Sequence, residues 1–189
     1  MNTVLFDVET TGLLQAETAP IGNQPFITEL YAIKTDENCN TIGTYHQMFK
    51  PPITFEEHNA KGKGITDITG ITNAMLADKN PFSGHWREIA DFFVGVTTLV
   101  AHNISFDRGC LHYELKRINR LQNFPWPPVH ECTIEQSMSF KGKRLKLQAL
   151  HEHLFGEQFE GAHRAQSDVE AMLKCYKKMH KKGEYADGK

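Results

Sequence analysis

Residues 3–13 read TVLFDVETTGL, an apolar run that takes in two acids and ends in a threonine–glycine turn. The β-branched and aromatic residues at its start predict a buried strand. Side chains two positions apart on a strand project from the same face, so Asp7 and Glu9 should present their carboxylates together. Burying two unneutralised acids is unfavourable without a cation, and this pair therefore indicates a metal site on the first strand.

Beyond this strand, the pattern predicts an antiparallel meander followed by helices. FITELYAIKT, residues 26–35, carries Ile27, Tyr31 and Ile33 in a period of two and predicts a second strand. Further strands are predicted in TIGTYHQMF (41–49), TTLVAHN (97–103) and the start of VHECTIEQSM (129–138). Helices are predicted in HWREIADFF (85–93), FDRGCLHYELKRI (106–118), the remainder of VHECTIEQSM, LKLQALHEHLFG (145–156) and AQSDVEAMLKCYKKM (165–179). This order predicts an α/β protein with a mixed sheet flanked by helices. We expect one domain over residues 1–182 and a short tail at 183–189.

Composition favours a globular protein of a reducing compartment. The 189 residues are 40% apolar and 23% charged, without an apolar run near the roughly 20 residues that span a bilayer. Four scattered cysteines form no CxxC pair, which favours reduced thiols over a disulfide framework or a structural zinc site. No basic and apolar signal segment precedes the first strand. We therefore expect a cytoplasmic protein that does not contact a membrane.

Charge is distributed unevenly along the chain, although the net charge is only −2. Residues 1–107 contain 6 lysines and arginines against 13 acids, whereas residues 108–182 contain 14 against 8. This asymmetry predicts an acidic metal-binding pole beside a basic surface that tracks phosphates. The residues favoured for that surface are Arg108, Lys141, Lys143, Arg144, Lys146 and Arg164. The lysines at the end of the last helix suit a solvated helix face instead.

Two further acids lie near the ends of predicted elements, where functional groups often gather. Asp107 follows a predicted strand at the start of a helix, and Asp168 lies about one turn into the final helix. Taken singly, Asp107 suits a helix cap and Asp168 a solvated helix position. Together with Asp7 and Glu9 they make an all-oxygen ligand set, which hard cations such as Mg²⁺ or Mn²⁺ prefer.

Three ordered motifs around these acids resemble the DEDDh family of 3′–5′ exonucleases, which includes the proofreading subunits of DNA polymerases. FDVETTGL (6–13) resembles the first exonuclease motif, LVAHNISFDRGCL (99–111) the second, and HRAQSDVEA (163–171) the third, His-x-Ala-x-x-Asp. TGIT (69–72) is similar to the family's HGIT segment, with Thr69 where histidine is common. The resemblance covers nearly the whole chain and implies an RNase H-like fold with a mixed five-stranded sheet.

The resemblance also implies catalytic roles. Two divalent cations, Mg²⁺ or Mn²⁺, would be held by the four carboxylates of Asp7, Glu9, Asp107 and Asp168, with Asp7 shared between them. His163 would be the general base, a role that suits the ordinary histidine pKa of about 6.5. Five residues turn a helix by about 500°, so His163 and Asp168 would not share a helical face. We therefore expect His163 in the loop ahead of the final helix.

Substrate contacts are implied for the segment after the first strand. The terminal nucleotide would be contacted by Thr10, Thr11, Gly12, Leu13 and Asn103. Leu13 would wedge between bases, a contact that tolerates any sequence because every base has a π-face. Thr-Thr-Gly-Leu also suits a strand-ending turn, and both interpretations can hold together.

The function that these residues predict is release of nucleoside 5′-monophosphates from the 3′ end of single-stranded or frayed DNA. A 3′–5′ exoribonuclease is the closest rival, since DEDDh enzymes of RNA processing share the same five catalytic residues. A second alternative is an inert module that binds DNA or a polymerase, although such a module should have lost a metal ligand and none is missing here. A polymerase or another protein partner stays open.

Overall fold

A five-stranded mixed sheet forms the centre of the structure, a computed structural model that describes residues 1–183 without the side chains of residues 140, 141 and 181–183. The strands are β1 (Asn2–Thr10), β2 (Ile27–Thr35), β3 (Thr41–Met48), β4 (Val96–Ala101) and β5 (Val129–Cys132). Their order across the sheet is β3-β2-β1-β4-β5. The β1–β2 and β2–β3 pairs are antiparallel, whereas β1–β4 and β4–β5 are parallel. The predicted fold class, an α/β protein with a mixed five-stranded sheet, is confirmed.

Seven α-helices surround this sheet in the described part of the chain. They are α1 (Ile65–Thr69), α2 (Asn73–Leu76), α3 (Phe82–Phe93), α4 (Ile104–Arg117), α5 (Thr133–Lys141), α6 (Leu147–Phe155) and α7 (Ala165–Gly183). The predicted helices correspond to α3, α4, α5, α6 and α7. Helix α7 includes Gly183, one residue past the predicted domain boundary, and residues 184–189 of the predicted tail lie outside the described residues.

The two faces of the sheet carry separate apolar cores. Val4, Phe6 and Val8 of β1 pack on one side in a core that includes residues of α3 and α4. Leu5 points to the other side, into a core shared with α6 and α7. Alternate side chains of a strand face opposite ways, so the consecutive apolar residues at positions 4–6 indicate that this part of β1 lies between two helical layers. In residues 1–183 no helix is both long and apolar enough to cross a membrane.

An irregularity in the β1–β2 pairing changes one expected face. Glu9 pairs with Glu29, but Thr10 pairs with Ile27, so one extra residue is inserted in β2. An inserted residue reverses the alternation of side chains beyond it. Ile27 therefore packs in the core of α3 and α4, whereas Tyr31 and Ile33 pack in the core of α6 and α7. The prediction that all three share one face was wrong for Ile27.

The connection between β4 and α4 places Asp107 near the carboxyl end of β1. Strand β4 ends at Ala101, and α4 begins at Ile104 after only two residues. This tight reversal places Asn103 in the left-handed region at φ 85°, a conformation that asparagine tolerates better than most residues. The first turn of α4, with Asp107, is therefore held beside the carboxyl end of β1.

Candidate active site

Three carboxylates from two distant parts of the chain converge at the end of β1. Asp7 and Glu9 project from the strand, and Asp168 comes from the first turn of α7. Each offers one carboxylate oxygen, and these oxygens all lie within 4.8 Å of one another. The three residues are half-buried, so their charges are only partly hydrated. The spacing of Asp7 and Glu9 predicted their common face, but only the fold brings Asp168 to them.

Asp107 lies beside this cluster without belonging to it. Its side chain is buried, and its Oδ1 accepts a hydrogen bond from the backbone N–H of Val8 at 3.1 Å. The helix cap position is occupied by Asn103, so the interpretation of Asp107 as a cap is wrong. The structure thus brings together three of the four predicted metal ligands. The fourth, Asp107, has one carboxylate oxygen hydrogen-bonded to β1, the strand that carries Asp7 and Glu9.

Burial raises the pKa values of all four acids, and neighbouring acids raise those of Asp7, Glu9 and Asp107 further. Burial raises the pKa of Asp7 well above its ordinary value, and the charges of Asp107 and Glu9 raise it further. Burial, followed by the charge of Asp168, raises the pKa of Glu9 to about 9. Burial likewise raises the pKa of Asp107 to about 8 and that of Asp168 to about 6. Such a set favours either protons or a cation, and its all-oxygen character suits a hard divalent ion.

His163 lies in the loop ahead of α7, as its spacing from Asp168 predicted. It is exposed and adopts a positive φ of 66°. Its backbone N–H donates to Oδ2 of Asp168 at 3.2 Å, which ties the loop to the acid cluster. Gly161 also has a positive φ, and a Cβ there would approach Oγ of Ser167 to 2.8 Å. The loop therefore requires glycine at position 161.

The segment after β1 combines a tight turn with an exposed apolar side chain. Thr10 is buried, and its Oγ1 donates to the carbonyl of Gly12 at 2.7 Å. Thr11 exchanges hydrogen bonds with Phe26, through its backbone N–H at 2.9 Å and its Oγ1 at 3.0 Å. Leu13 is 75% exposed, so its side chain is available to a ligand. The two threonines hold the turn, and the turn presents Leu13.

Gly109 of α4 leaves space for Leu14, the residue that follows Leu13. A Cβ at Gly109 would come within 2.7 Å of Cδ1 of Leu14, so Leu14 packs where a larger side chain would stand. Leu14 is partly buried against the core of α3 and α4. Asn103, the remaining predicted substrate contact, starts the same helix and accepts a hydrogen bond from Ser105 at 3.1 Å.

A cleft of about 310 Å³ opens beside the acids. It is lined on one side by Asp7, His163 and Asp168. Its remaining walls come from β4–α4, α5, α6 and the loop before α7, through His102, Ile134, Lys146, Leu147, Gln148, Phe159 and Ala162. Lys146 is a predicted member of the basic surface. Most of the other wall residues were not predicted, because no spacing pattern links the elements that supply them.

The predicted basic surface is only partly realised. Lys143 and Lys146 are exposed, and Lys146 lines the cleft. Arg144 is paired with Glu135 at 2.8 Å. Arg164 is engaged by Glu29, which differs from its predicted phosphate-binding role. Of the other predicted members, Arg108 lies over Trp126, 5.1 Å from the ring centroid, and the side chain of Lys141 lies outside the described residues.

One functional candidate escaped the sequence prediction entirely. Glu29 of β2 has no exposed side-chain surface and lies opposite Glu9 in the strand pairing. The only available signal was a glutamate inside an otherwise apolar strand, a position that is rare unless the charge is paired. Its arginine partner is 135 residues away, so no local pattern could identify the pair.

Comparison with known proteins agrees with this geometry. The model of the exonuclease family RNase_T matches residues 4–176. DNA polymerase III subunit epsilon of Buchnera aphidicola subsp. Acyrthosiphon pisum is 33% identical over 121 residues, which cover 62% of this chain and 46% of that protein. The subunit epsilon of Pasteurella multocida is 30% identical over 152 residues, which cover 80% and 56%. The chain spans about half the length of these curated relatives.

Among solved structures, the nuclease domain of 3′hExo, a DEDDh family member bound to rAMP, superposes with a TM-score of 0.71. The match covers 96% of this chain and 92% of that one at 17% identity. At this identity the likeness bears on the fold alone, and it agrees with the RNase H-like sheet.

Proposed function

This chain belongs to the RNase_T exonuclease family, whose model matches residues 4–176, and from that premise we propose that it removes nucleotides one at a time from the 3′ ends of single-stranded or frayed DNA. The observation that carries the proposal is the convergence of Asp7, Glu9 and Asp168 within 4.8 Å. Their raised pKa values mark a site built for a cation. We take residues 1–182 as the exonuclease domain.

The acid cluster is the proposed site of two divalent cations, Mg²⁺ or Mn²⁺. Asp7, Glu9 and Asp168 would supply the converging oxygens. Asp107 would contribute its Oδ2, because its Oδ1 already accepts the hydrogen bond from the Val8 N–H. When bound, the cations supply positive charge that stabilises the leaving 3′-oxygen and lowers the pKa of the attacking water. The fit is supported by the all-oxygen set and by the mutual repulsion of the acids.

His163 is the proposed general base. Its loop position beside Asp168 allows an imidazole nitrogen to take the proton from the water that attacks phosphorus. The bond between phosphorus and the 3′-oxygen then breaks, and that oxygen takes up a proton as it leaves. The product is a nucleoside 5′-monophosphate. Exposure of His163 allows the proton to pass to solvent before the next cycle.

The proposed substrate contacts follow from the exposed features around the cluster. Leu13 would wedge against the terminal base, while Thr10, Thr11 and Gly12 hold the turn that presents it. Asn103 would assist from the start of α4. Lys146 would contact a phosphate from the wall of the cleft. A wedge needs a terminus that can be splayed, so we expect a preference for unpaired 3′ ends.

DNA is the proposed substrate because the matched relatives are subunits of a DNA polymerase. For the same reason we propose that the protein associates with a polymerase, which co-purification with the replicative polymerase of its host would test. Buried thiols at Cys110 and Cys175 suit a reducing compartment, and a cytoplasmic location is proposed accordingly.

The deciding experiment gives the purified protein three 5′-labelled substrates. These are single-stranded DNA, RNA of the same sequence, and a duplex with a mismatched 3′ end, each with Mg²⁺ or with EDTA. A Mg²⁺-dependent ladder that shortens from the 3′ end of DNA supports the proposal, and Asp7→Asn protein prepared in parallel excludes a contaminating nuclease. Faster shortening of RNA would assign the exoribonuclease alternative. No shortening of any substrate would contradict a nuclease function.

A further inference from the structure

Glu29 is a fully buried acid that does not belong to the three-carboxylate cluster. It lies on β2 directly opposite Glu9 of β1 and on the same face of the sheet. Two glutamates facing each other across a strand pair repel, so this position is unfavourable unless a cation compensates it. The structure provides that compensation through Arg164.

The contacts of Glu29 tie three parts of the chain together. Nε of Arg164 donates to Oε2 at 3.1 Å and Nη2 donates to Oε1 at 3.0 Å, a two-pronged pair that fixes the guanidinium in orientation. The backbone N–H of Ala165 also donates to Oε2, at 3.4 Å. His46 of β3 lies 2.8 Å from Oε1 through its Nε2. Glu29 therefore holds both the side chain of residue 164 and the backbone of residue 165.

These two residues form the joint between the histidine loop and the last helix. Arg164 directly follows His163, and its carbonyl accepts the hydrogen bond of the Asp168 N–H at 3.0 Å. The backbone N–H of His163 in turn donates to Asp168. We propose that Glu29 is a positioning residue that, through Arg164, sets the loop of His163 against the acid cluster for the hydrolysis. This inference rests on the proposed function.

An anchor at this joint matters because His163 has an unfavourable backbone conformation and an exposed side chain. His163 is exposed and has a positive φ, a region that non-glycine residues adopt rarely. A base must lie within hydrogen-bond reach of the water from which it takes a proton. A misplacement of about 1 Å can reduce a rate about 10²-fold, so a rigid anchor on the sheet has a direct kinetic effect.

The pair also places a positive charge near Glu9. The carboxylate of Glu29 raises the pKa of Glu9, whereas the guanidinium of Arg164 lowers it. The guanidinium therefore offsets part of the effect that Glu29 has on this one cluster acid.

The test measures single-turnover cleavage of 5′-labelled single-stranded DNA by Glu29→Gln, with Glu114→Gln as the matched control. Glu114 is an equally buried glutamate that is paired with Arg117 at 3.3 Å and bonded to the N–H of Ile27 at 2.9 Å, away from the acids. We expect Glu29→Gln to lower the rate about 10- to 100-fold, with DNA affinity nearly unchanged. Glu114→Gln should lower the melting temperature without lowering the rate.

Combining Glu29→Gln with His163→Ala separates a positioning role of Glu29 from a general structural one. Introduced into His163→Ala protein, Glu29→Gln should reduce the remaining rate less than threefold, because it acts through the histidine. If Glu29→Gln lowered the rate of His163→Ala protein as much as it lowers the rate of wild-type protein, the proposal would be overturned. Wild-type activity in Glu29→Gln would overturn it as well. If Glu29→Gln does not fold, Arg164→Lys keeps the charge, removes the two-pronged geometry and should show the same coupling. Inactive wild-type protein would instead contradict the proposed function itself.

Discussion

Glu9 and Glu29 face each other across neighbouring strands, yet their pKa values are shifted in opposite directions. Burial raises the pKa of Glu29, but hydrogen bonds from Arg164 and His46 outweigh it and hold that pKa below its ordinary value. The pKa of Glu9 is raised to about 9, since it is buried beside Asp168 and other acids. A buried acid that is paired with an arginine, as Glu29 is, stabilises the fold. Acids that lie together without such a partner are suited to binding a metal cation. The predictions below test this contrast.

The largest effect is expected where an acid of the cluster loses its charge. Asp7→Asn and Asp168→Asn should each lower the cleavage rate more than about 10³-fold at saturating Mg²⁺, because a proposed ligand is lost. Both variants should stay folded, since removing one of several repelling charges relieves repulsion. Single-turnover assays with circular dichroism check this, and Glu114→Gln should remain active in the same assay. Rates near wild type in either variant would refute the metal assignment.

A smaller loss is expected for the proposed base. His163→Ala should lower the single-turnover rate about 10²- to 10⁴-fold while DNA and metal affinity stay nearly unchanged, because general-base catalysis acts only in the transition state. Rate profiles from pH 5 to pH 9, compared between wild type and variant, provide the measurement. If the variant keeps more than about a tenth of the activity and the same acid limb, another group is the base.

Stability should respond to pH in opposite directions for the two kinds of acid. The pKa values of Asp168, Asp107 and Glu9 are raised to about 6, 8 and 9, so the metal-free fold binds protons more tightly than the unfolded chain does. Their contribution is complete below about pH 4 and is lost as the pH rises through the raised values. In EDTA, the melting temperature should therefore fall by roughly 5–10 °C between pH 6 and pH 9.

Two additions sharpen that measurement. Mg²⁺ at pH 8 should restore the melting temperature, since it binds only the folded protein. Glu29 has a lowered pKa, so its contribution is present above its ordinary value and is lost as the pH falls through the lowered one. Glu29→Gln should therefore destabilise the protein most at neutral pH and least near pH 3. A flat profile in EDTA would contradict the repulsion among the cluster acids.

The smallest effect concerns Lys146, which, unlike Arg164, forms no ion pair with an acid among the described residues. Lys146→Ala should weaken binding of single-stranded DNA only a few-fold and reduce the salt dependence by about one phosphate contact. Lys143→Ala is the matched control, because Lys143 is exposed nearby but does not line the cleft. Equal losses from both lysines would indicate a diffuse basic surface. Each lysine substitution is introduced into Asp7→Asn protein, in which cleavage should be lost. The affinity of these variants for single-stranded DNA is then measured between 50 and 200 mM salt at constant Mg²⁺.

Much of the site could be predicted because its signals are local. The spacing of Asp7 and Glu9 on an apolar strand and the loop position of His163 follow from strand and helix geometry. Glu29 could not be predicted, because its role depends on Arg164, 135 residues away. The opposite face of Ile27 depends on one inserted residue, and an inserted residue leaves no trace in an alternating pattern. The walls of the cleft depend on how α5 and α6 pack, which no single segment encodes.

Helix α7 has a consequence for when the site comes into being during synthesis. It is the last described element, it directly follows the joint at Arg164, and it supplies Asp168 and the apolar cover for Leu5 and Tyr31. Chains emerge from the ribosome N-terminus first, so strands β1 to β5 are made while one face of their sheet is still bare. Neither the three-carboxylate cluster nor the histidine loop is complete until α7 docks. The proposed nuclease activity would therefore be absent from a nascent chain until α7 has folded onto the sheet.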